Sequence, residues 1–433
     1  MRTLSRSTTT RTLVGVVATS ALLLGAAPTA TAGTSSATAT TVATTTPSAA
    51  AYTASAADRR IASMLTARVT TARFGTAFTG AVLDAGSDTT IWSKNGDTGY
   101  MPASTTKLVT ASNALSLLGP DTQLTTRIRS GSTKNRVIVE GAGDPSVTSA
   151  QLDSLASRTA AWLRAQTITY ARVYVDDDIF PTPTLAPGWK QSYVPASIAP
   201  VRGLVRDQIA NSDTSAEAAR YYAVRLKAHG IATVGYYGRL DATAGSTVIT
   251  SRMGAPLSTS VSRMLLNSDN EIAESLHKLV GVKLGQGATW TGARAAQTKQ
   301  LTAQGLKATA LYDGSGLSRS DRLSALQLAR VMDRGLDARY RATLWPLQSA
   351  QAMPTAGRTG TLTSRFTTAA SKCAVGKVWA KTGTLNDVVS LAGFTQGTDG
   401  RVKVFAFVVN GKSSTTTLKQ NIDMLAATVN GCY

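Results

Sequence analysis

The sequence predicts an α/β chain in which a strand-rich main domain is split by an inserted α/β domain. Three observations lead there. After a leader and a low-complexity stretch, about 375 residues remain, more than one ordinary hydrophobic core holds. Strand-like runs occur near both ends of that span: Ala81–Asp84 with Thr90–Lys94 as a hairpin, then Lys377–Ala380, Val388–Phe394 and Val402–Asn410. The two ends would then share one sheet. Between about Thr125 and Ser251 the pattern shortens to Arg136–Glu140, Leu152–Ala165, Ala171–Val175 and Ala216–His229, with Pro145, Pro181, Pro183 and Pro187 marking loops.

In chain order, residues 1–32 read as a secretory signal. Arg2, Arg6 and Arg11 precede an apolar run from Leu13 to Ala27, and Ala30-Thr31-Ala32 offers a small-residue cleavage site. The run is short for a membrane span, which needs about 20 apolar residues, although a retained anchor is the alternative. Residues 33–56 are almost all Thr, Ala and Ser, too polar to offset chain entropy by burial, and read as a flexible linker. Segments 57–124 and 252–433 form the main domain and 125–251 the insert. Ala57–Thr71 is an amphipathic helix; Leu257–Val282, Thr291–Gln304 and Leu323–Leu336 supply a helical subdomain, and a helix over Thr415–Thr428 closes the chain.

The formal charge of +20, three of it from the leader arginines, suits an anionic partner. No Lys/Arg run interleaved with aromatics marks a nucleic-acid module, so an anionic cell envelope fits an exported protein better. Cys373 and Cys432, the only cysteines, lack metal-type spacing and read as one disulfide, with two buried thiols as the alternative.

Chemistry concentrates in three short motifs. Pro102-Ala103-Ser104-Thr105-Thr106-Lys107 runs into a helix-prone segment, Leu108–Leu118, so Ser104 and Lys107 share one face of a first turn. A lysine kept partly neutral by burial can take the serine's proton, and helix N-terminal N–H groups can face an oxyanion. Ser268-Asp269-Asn270, between two helical stretches, can project a hydroxyl and an amide to one side. Lys381-Thr382-Gly383-Thr384 lies on an edge strand or turn facing the Ser104 helix and offers cation and hydroxyls to a carboxylate. Chance copies also occur. Ser275-Leu276-His277-Lys278 reads as the polar face of a helix, and Arg358-Thr359-Gly360-Thr361 has loop-like flanks. Asp176-Asp177-Asp178 reads as a solvent-facing loop rather than a metal site, and with His229 and His277 the only histidines, neither a Ser-His-Asp enzyme nor a zinc peptidase is indicated. No cofactor or metal is expected.

S-x-x-K, S-D-N and K-T-G in this order form the signature of serine penicillin-recognising enzymes. With PASTTKLVT, GAGDPSV, SDNEIAESL, DGSGLSR and AKTGTLNDVVSLAGF, the chain from about Ala57 onward resembles the D-alanyl-D-alanine carboxypeptidase/endopeptidase family, the class C low-molecular-mass penicillin-binding proteins. The resemblance implies a penicillin-binding-protein/serine β-lactamase-like transpeptidase fold with an inserted domain. Ser268 follows Ser104 by 164 residues, a gap that accommodates the insert, which is shorter here than in larger members.

The resemblance further implies Ser104 as acyl acceptor, Lys107 as its base, Ser268 as proton relay and Asn270 as holder of the acyl chain and Lys107. Lys381, Thr382 and Thr384 would bind the terminal carboxylate, with Gly383 admitting the ligand to the backbone and the N–H groups of Ser104 and Thr384 forming the oxyanion hole. Asp144 and Arg319, helped by Asn386, would hold the zwitterionic end of a diamino acid side chain. The partners implied are peptidoglycan stem peptides and β-lactams, the location extracytoplasmic and wall-associated. A β-lactamase, for which no E-x-x-x-N loop is found, and an inactive envelope-binding protein are the rival readings.

Overall fold

The three inner strands of the sheet that carries the Lys381 motif are buried on both faces, which is why their runs are apolar almost without interruption. The structure, a computed structural model, describes residues 53–307 and 310–433; the expected leader and the linker up to residue 52 lie outside them. In order the elements are α1 (Ala56–Ala72), β1 (Phe78–Asp84), β2 (Thr89–Lys94), α2 (Thr106–Leu118), β3 (Gln123–Ser130), β4 (Arg136–Glu140), α3 (Ser149–Ala165), β5 (Tyr170–Asp176), α4 (Thr214–Ala228), β6 (Ala232–Arg239) and β7 (Val248–Pro256). Then follow α5 (Leu257–Asn267), α6 (Asn270–Lys283), α7 (Trp290–Ala303), α8 (Ala325–Leu336), the single turn α9 (Arg341–Leu344), β8 (Val378–Leu385), β9 (Val388–Gln396), β10 (Val402–Asn410) and α10 (Thr416–Asn430).

The first sheet has the order β2-β1-β10-β9-β8, antiparallel throughout, so the two ends of the chain do share a sheet. Side chains alternate across it. Val404, Ala406 and Val408 of β10 face a core built with α2 and α5–α8, while Phe405, Phe407 and Val409 face a second core with Ile61, Leu65 and Val69 of α1 and Ile422 and Leu425 of α10. The second sheet, β6-β5-β4-β3-β7, mixes parallel and antiparallel pairs and packs α3 and α4 over a third core.

Two further contacts stabilise the first sheet. Lys403, fully buried in β10, meets Asp58 of α1 at 2.8 Å, Asp84 at 2.7 Å and Asp399 at 3.2 Å. Its desolvation is offset by three carboxylates. A Cys373–Cys432 disulfide ties the 3-10 turn Lys372–Ala374 to the end of α10.

Ser268-Asp269-Asn270 lies between two helices, as its motif reading expects: within Leu257–Val282, Ser268 caps α5 in the left-handed conformation before Asp269 caps α6 through Ile272 N–H. One expectation needs correction. The Asp176–Asp178 stretch does not simply face solvent. Asp177 is buried and paired with Arg202 and Arg239, because a sunken carboxylate needs charged partners.

Candidate active site

Ser104 sits in a 3-10 turn, Ala103–Thr105, that leads into α2. Ala103 is held at φ 49°, a left-handed conformation that costs an alanine energy and persists only where neighbours enforce it. Those neighbours are identifiable. The Pro102 carbonyl accepts Ser390 Oγ at 2.6 Å and Thr105 Oγ1 at 2.7 Å, and Gly316 packs so closely on the Ala103 carbonyl that a Cβ there would lie 1.9 Å from the oxygen. On the other side, a Cβ on Gly383 would lie 2.7 Å from the Pro102 oxygen and 3.0 Å from Ser104 N. Glycine at 383 thus brings edge strand β8 against the serine turn.

The three motifs converge here. Lys107 Nζ lies 3.0 Å from Ser104 Oγ, 2.8 Å from Asn270 Oδ1 and 2.7 Å from the Ser315 carbonyl. Asn270 Nδ2 donates to the Ser197 carbonyl at 2.9 Å, which fixes the amide's orientation and leaves its oxygen for the lysine. Lys381 Nζ donates to the Thr382 carbonyl at 2.7 Å and lies 2.9 Å from Ser268 Oγ. Both lysines are fully buried. Burial lowers Lys107 to about 8 against the opposing pull of Glu274, Asp313 and Asp269, and burial together with the Lys107 charge pushes Lys381 well below the usual lysine range.

Behind Lys107 stands a group of acids that sequence reasoning did not single out. Glu274, one turn after Asn270 on α6, accepts the backbone N–H groups of Gly314 at 2.9 Å and Ser315 at 2.8 Å. Asp313 accepts Trp189 Nε1 at 2.7 Å, Gly316 N–H at 2.8 Å and Ser318 N–H at 2.7 Å. These bonds mould the 313–318 loop so that the Ser315 carbonyl meets Lys107. Burial and the neighbouring Asp313 push Glu274 up to about 8 and Asp321 well above the carboxylate range. The visible signal was the stretch DGSGLSR, whose glycines and small residues announce a tight loop.

Two arms open from Ser104, Ser268 and Thr384. One is lined by Asn270, Tyr193, Lys190, Arg319, Asn386 and Leu317, with a volume of about 340 Å³. The other, about 450 Å³, runs past Thr382 between the 361–367 segment and α10. Arg319 is held by Asp387, through bonds of 2.9 and 2.7 Å. Asp144 and Arg319, expected on opposite sides of one pocket, line different cavities. Asp144 is buried in a separate small cavity with Thr126, Gln151 and Arg252, and its carboxylate is used locally by the N–H and hydroxyl of Ser146, as an Asp-Pro turn favours.

Of the two near copies, the Arg358 one lies in loop and 3-10 turn as expected and the Ser275 one differs from expectation. Ser275 and Lys278 are buried rather than on a polar face: Ser275 Oγ donates to the Gly143 carbonyl, and Lys278 Nζ donates to the Ala288 carbonyl at 2.8 Å while sitting 4.0 Å above the Trp290 ring. They do not touch each other's chemistry. Thr361, in the Arg358 copy, accepts the Thr382 hydroxyl at 2.8 Å and so borders the site.

The sequence profile of the D-Ala-D-Ala carboxypeptidase 3 (S13) family matches residues 61–209 and 198–429. The chain belongs to that family. This S13 chain is 31% identical over 395 residues to the carboxypeptidase DacB of Mycolicibacterium smegmatis, covering 86% of this chain and 84% of that one. It is 25% identical to the D-alanyl-D-alanine carboxypeptidase of Actinomadura sp., over 78% of each chain. Among solved structures, penicillin-binding protein 4 (DacB) of Haemophilus influenzae superposes with a TM-score of 0.74 at 21% identity, over 84% of this S13 chain and 99% of that chain, which establishes the fold. A structure of the same protein bound to a β-lactam gives 0.67, at 24% identity over 83% and 98% of the two chains.

Proposed function

We propose that this S13 chain is a serine DD-peptidase of peptidoglycan that works through an acyl-enzyme on Ser104. The observation that carries the reading is the contact of the fully buried Lys107 with Ser104 Oγ, where burial lowers the lysine to about 8. Neutral Lys107 takes the hydroxyl proton as Ser104 Oγ bonds to the carbonyl carbon of the penultimate D-alanine. The oxyanion faces the N–H groups of Ser104 and Thr384. The proton passes through Ser268 to the amide nitrogen, the C–N bond breaks, and the amine departs. Water then hydrolyses the ester and restores Ser104. Lys381, Thr382 and Thr384 hold the carboxylate of the leaving residue, and the close contact at Gly383 keeps this strand beside the nucleophile.

Glu274, the foremost acid acting on Lys107, already gives both oxygens to backbone N–H groups. It is committed to the loop rather than to activating water, which favours a peptidase over a β-lactamase. Residues 1–32 would direct export and 33–56 would tether residues 57–124 and 252–433, the catalytic part, with 125–251 as its inserted domain. A basic chain of this kind suits an anionic cell envelope, and β-lactams would act as covalent inhibitors.

The test is mass spectrometry of the protein after exposure to benzylpenicillin, together with D-alanine released from a peptide ending in D-Ala-D-Ala. An adduct on Ser104 that disappears in Ser104→Ala is expected. An adduct on Ser275, or undiminished labelling of the variant, overturns the assignment.

A further inference from the structure

Three successive residues at the start of α6 are held by one stretch of chain between β5 and α4. Gln208 Nε2 donates to Asp269 Oδ2 at 2.8 Å, Asn270 Nδ2 donates to the Ser197 carbonyl at 2.9 Å, and Ala199 N–H donates to Glu271 Oε1 at 2.6 Å. Ile198 and Val201 seat this 197–208 stretch in the core that also holds Met264 of α5 and Ile272 of α6. Asp207 and Gln208 are both left-handed, at φ 50° and 52°, a costly pair that persists only where neighbours enforce it. Here Asp207 N–H donates to the Val147 carbonyl at 2.8 Å and the Asp207 carboxylate accepts Ser149 N–H at 3.0 Å, which aims Gln208 at Asp269.

Glu271 is the member of this group that stability alone does not account for. It is half-buried in the first turn of α6, and among the described residues no cation pairs with it. Burial pushes its carboxyl up to about 7; the Ala199 N–H opposes this and the Asp269 charge adds to it. A carboxyl drawn out of water without a cation costs stability, and what this one obtains is a single backbone N–H. The amides of Ser197 and Ile198 both donate to the Tyr193 carbonyl, at 2.7 and 3.1 Å, and Pro200 has no N–H, which leaves Ala199 as the donor for α6. Fixing Ala199 fixes Ser197, whose carbonyl takes the Asn270 amide N–H and so turns Asn270 Oδ1 toward Lys107 Nζ, 2.8 Å away. With the amide reversed, an N–H donor would face the lysine, which then loses its acceptor. We propose that Glu271 is a positioning residue for acylation: through Ala199 and Ser197 it keeps Asn270 in the orientation that holds Lys107 on Ser104, so that the 125–251 insert takes part in the chemistry. The inference rests on the DD-peptidase reading above.

The experiment measures benzylpenicillin binding and the acylation rate constant separately, by rapid mixing, on folded protein. Glu271→Gln keeps an oxygen for the Ala199 N–H and should acylate within about threefold of wild type. Glu271→Leu and Glu271→Ala offer no acceptor, and in both the acylation rate constant should fall about tenfold or more while binding changes little, as a misplaced base requires. In an Asn270→Ala background the leucine and alanine substitutions should be silent, because their effect reaches Lys107 only through Asn270. Acylation at the wild-type rate in the leucine or alanine variant overturns the proposal. So does a glutamine variant as slow as they are, or a loss that persists undiminished once Asn270 is gone. Wild type that takes no penicillin adduct on Ser104 sinks the DD-peptidase reading itself, whereas any of the former outcomes leaves that reading standing.

Discussion

Lys381 Nζ stands 2.9 Å from Ser268 Oγ across 113 residues of sequence. One residue comes from the edge of the first sheet and the other from the break between α5 and α6, so this contact joins the sheet to the helical subdomain at the point where a proton must pass. Ser268→Ala should slow acylation by benzylpenicillin about 10²- to 10⁴-fold, the range for loss of a positioned proton relay. Stopped-flow or quenched labelling measures it. A rate within about threefold of wild type would show that the proton travels another way.

The acylation rate should rise with pH through about 8, because the competent base is neutral Lys107 and burial lowers the lysine to about that value. Glu274→Gln removes a group whose charge raises Lys107, so the midpoint should move to lower pH. Rates followed from about pH 5 to pH 10 decide the matter. A flat profile, or a midpoint that rises in the variant, contradicts the assignment of Lys107 as base.

Removing the Cys373–Cys432 bond should destabilise the protein by about 4 kcal/mol in the chain-entropy account, since the cysteines are 59 residues apart in sequence. The double serine variant, compared with wild type by urea denaturation, should unfold at a lower midpoint. Coincident curves would mean that the unfolded chain gains little freedom from the cut.

Arg319, which lines the arm beside Ser104, gives its guanidinium to Asp387. A substrate carboxylate arriving there must compete with Asp387, so Asp387→Asn should raise kcat/KM for a peptide whose acyl side chain ends in a carboxylate. Arg319→Ala should lower it about tenfold or more relative to benzylpenicillin acylation. Equal changes on peptide and penicillin would assign Arg319 to support of the fold.

Much of the fold was legible because its central strands are apolar runs with clear ends. Val402–Asn410 matches the observed strand end for end, and Arg136–Glu140 in the second sheet does so too. The break at Ser268 was legible only through its motif, since Leu257–Val282 keeps helical periodicity on both sides and only a left-handed serine interrupts it. In the candidate site, the spacing of Ser104 and Lys107 foretold their contact because a single turn dictates it. The meeting of Asn270 with Lys107, 163 residues apart, follows from packing of α6 on α2 and was accessible only through the ordered motifs. Glu274 and Asp313 escaped notice because a buried acid leaves no periodic trace; it is recognised by the N–H groups it accepts. Asp144 shows the converse, as a motif residue whose carboxylate is already spent on its own turn.

Gln123 at the start of β3 pairs with Pro256 at the end of β7, so the chain departs from and returns to the catalytic region at adjacent points. A segment with neighbouring ends behaves as a cassette. Apart from the 180–201 stretch, which reaches the site through Trp189, Tyr193 and Ser197, lengthening or trimming it leaves the separation of α2 and α5 unaltered, and the entropy of closing it grows only logarithmically with its length. The spacing of Ser104 from Ser268 in space is thereby decoupled from their spacing in sequence, and large differences in length between relatives need not disturb the chemistry.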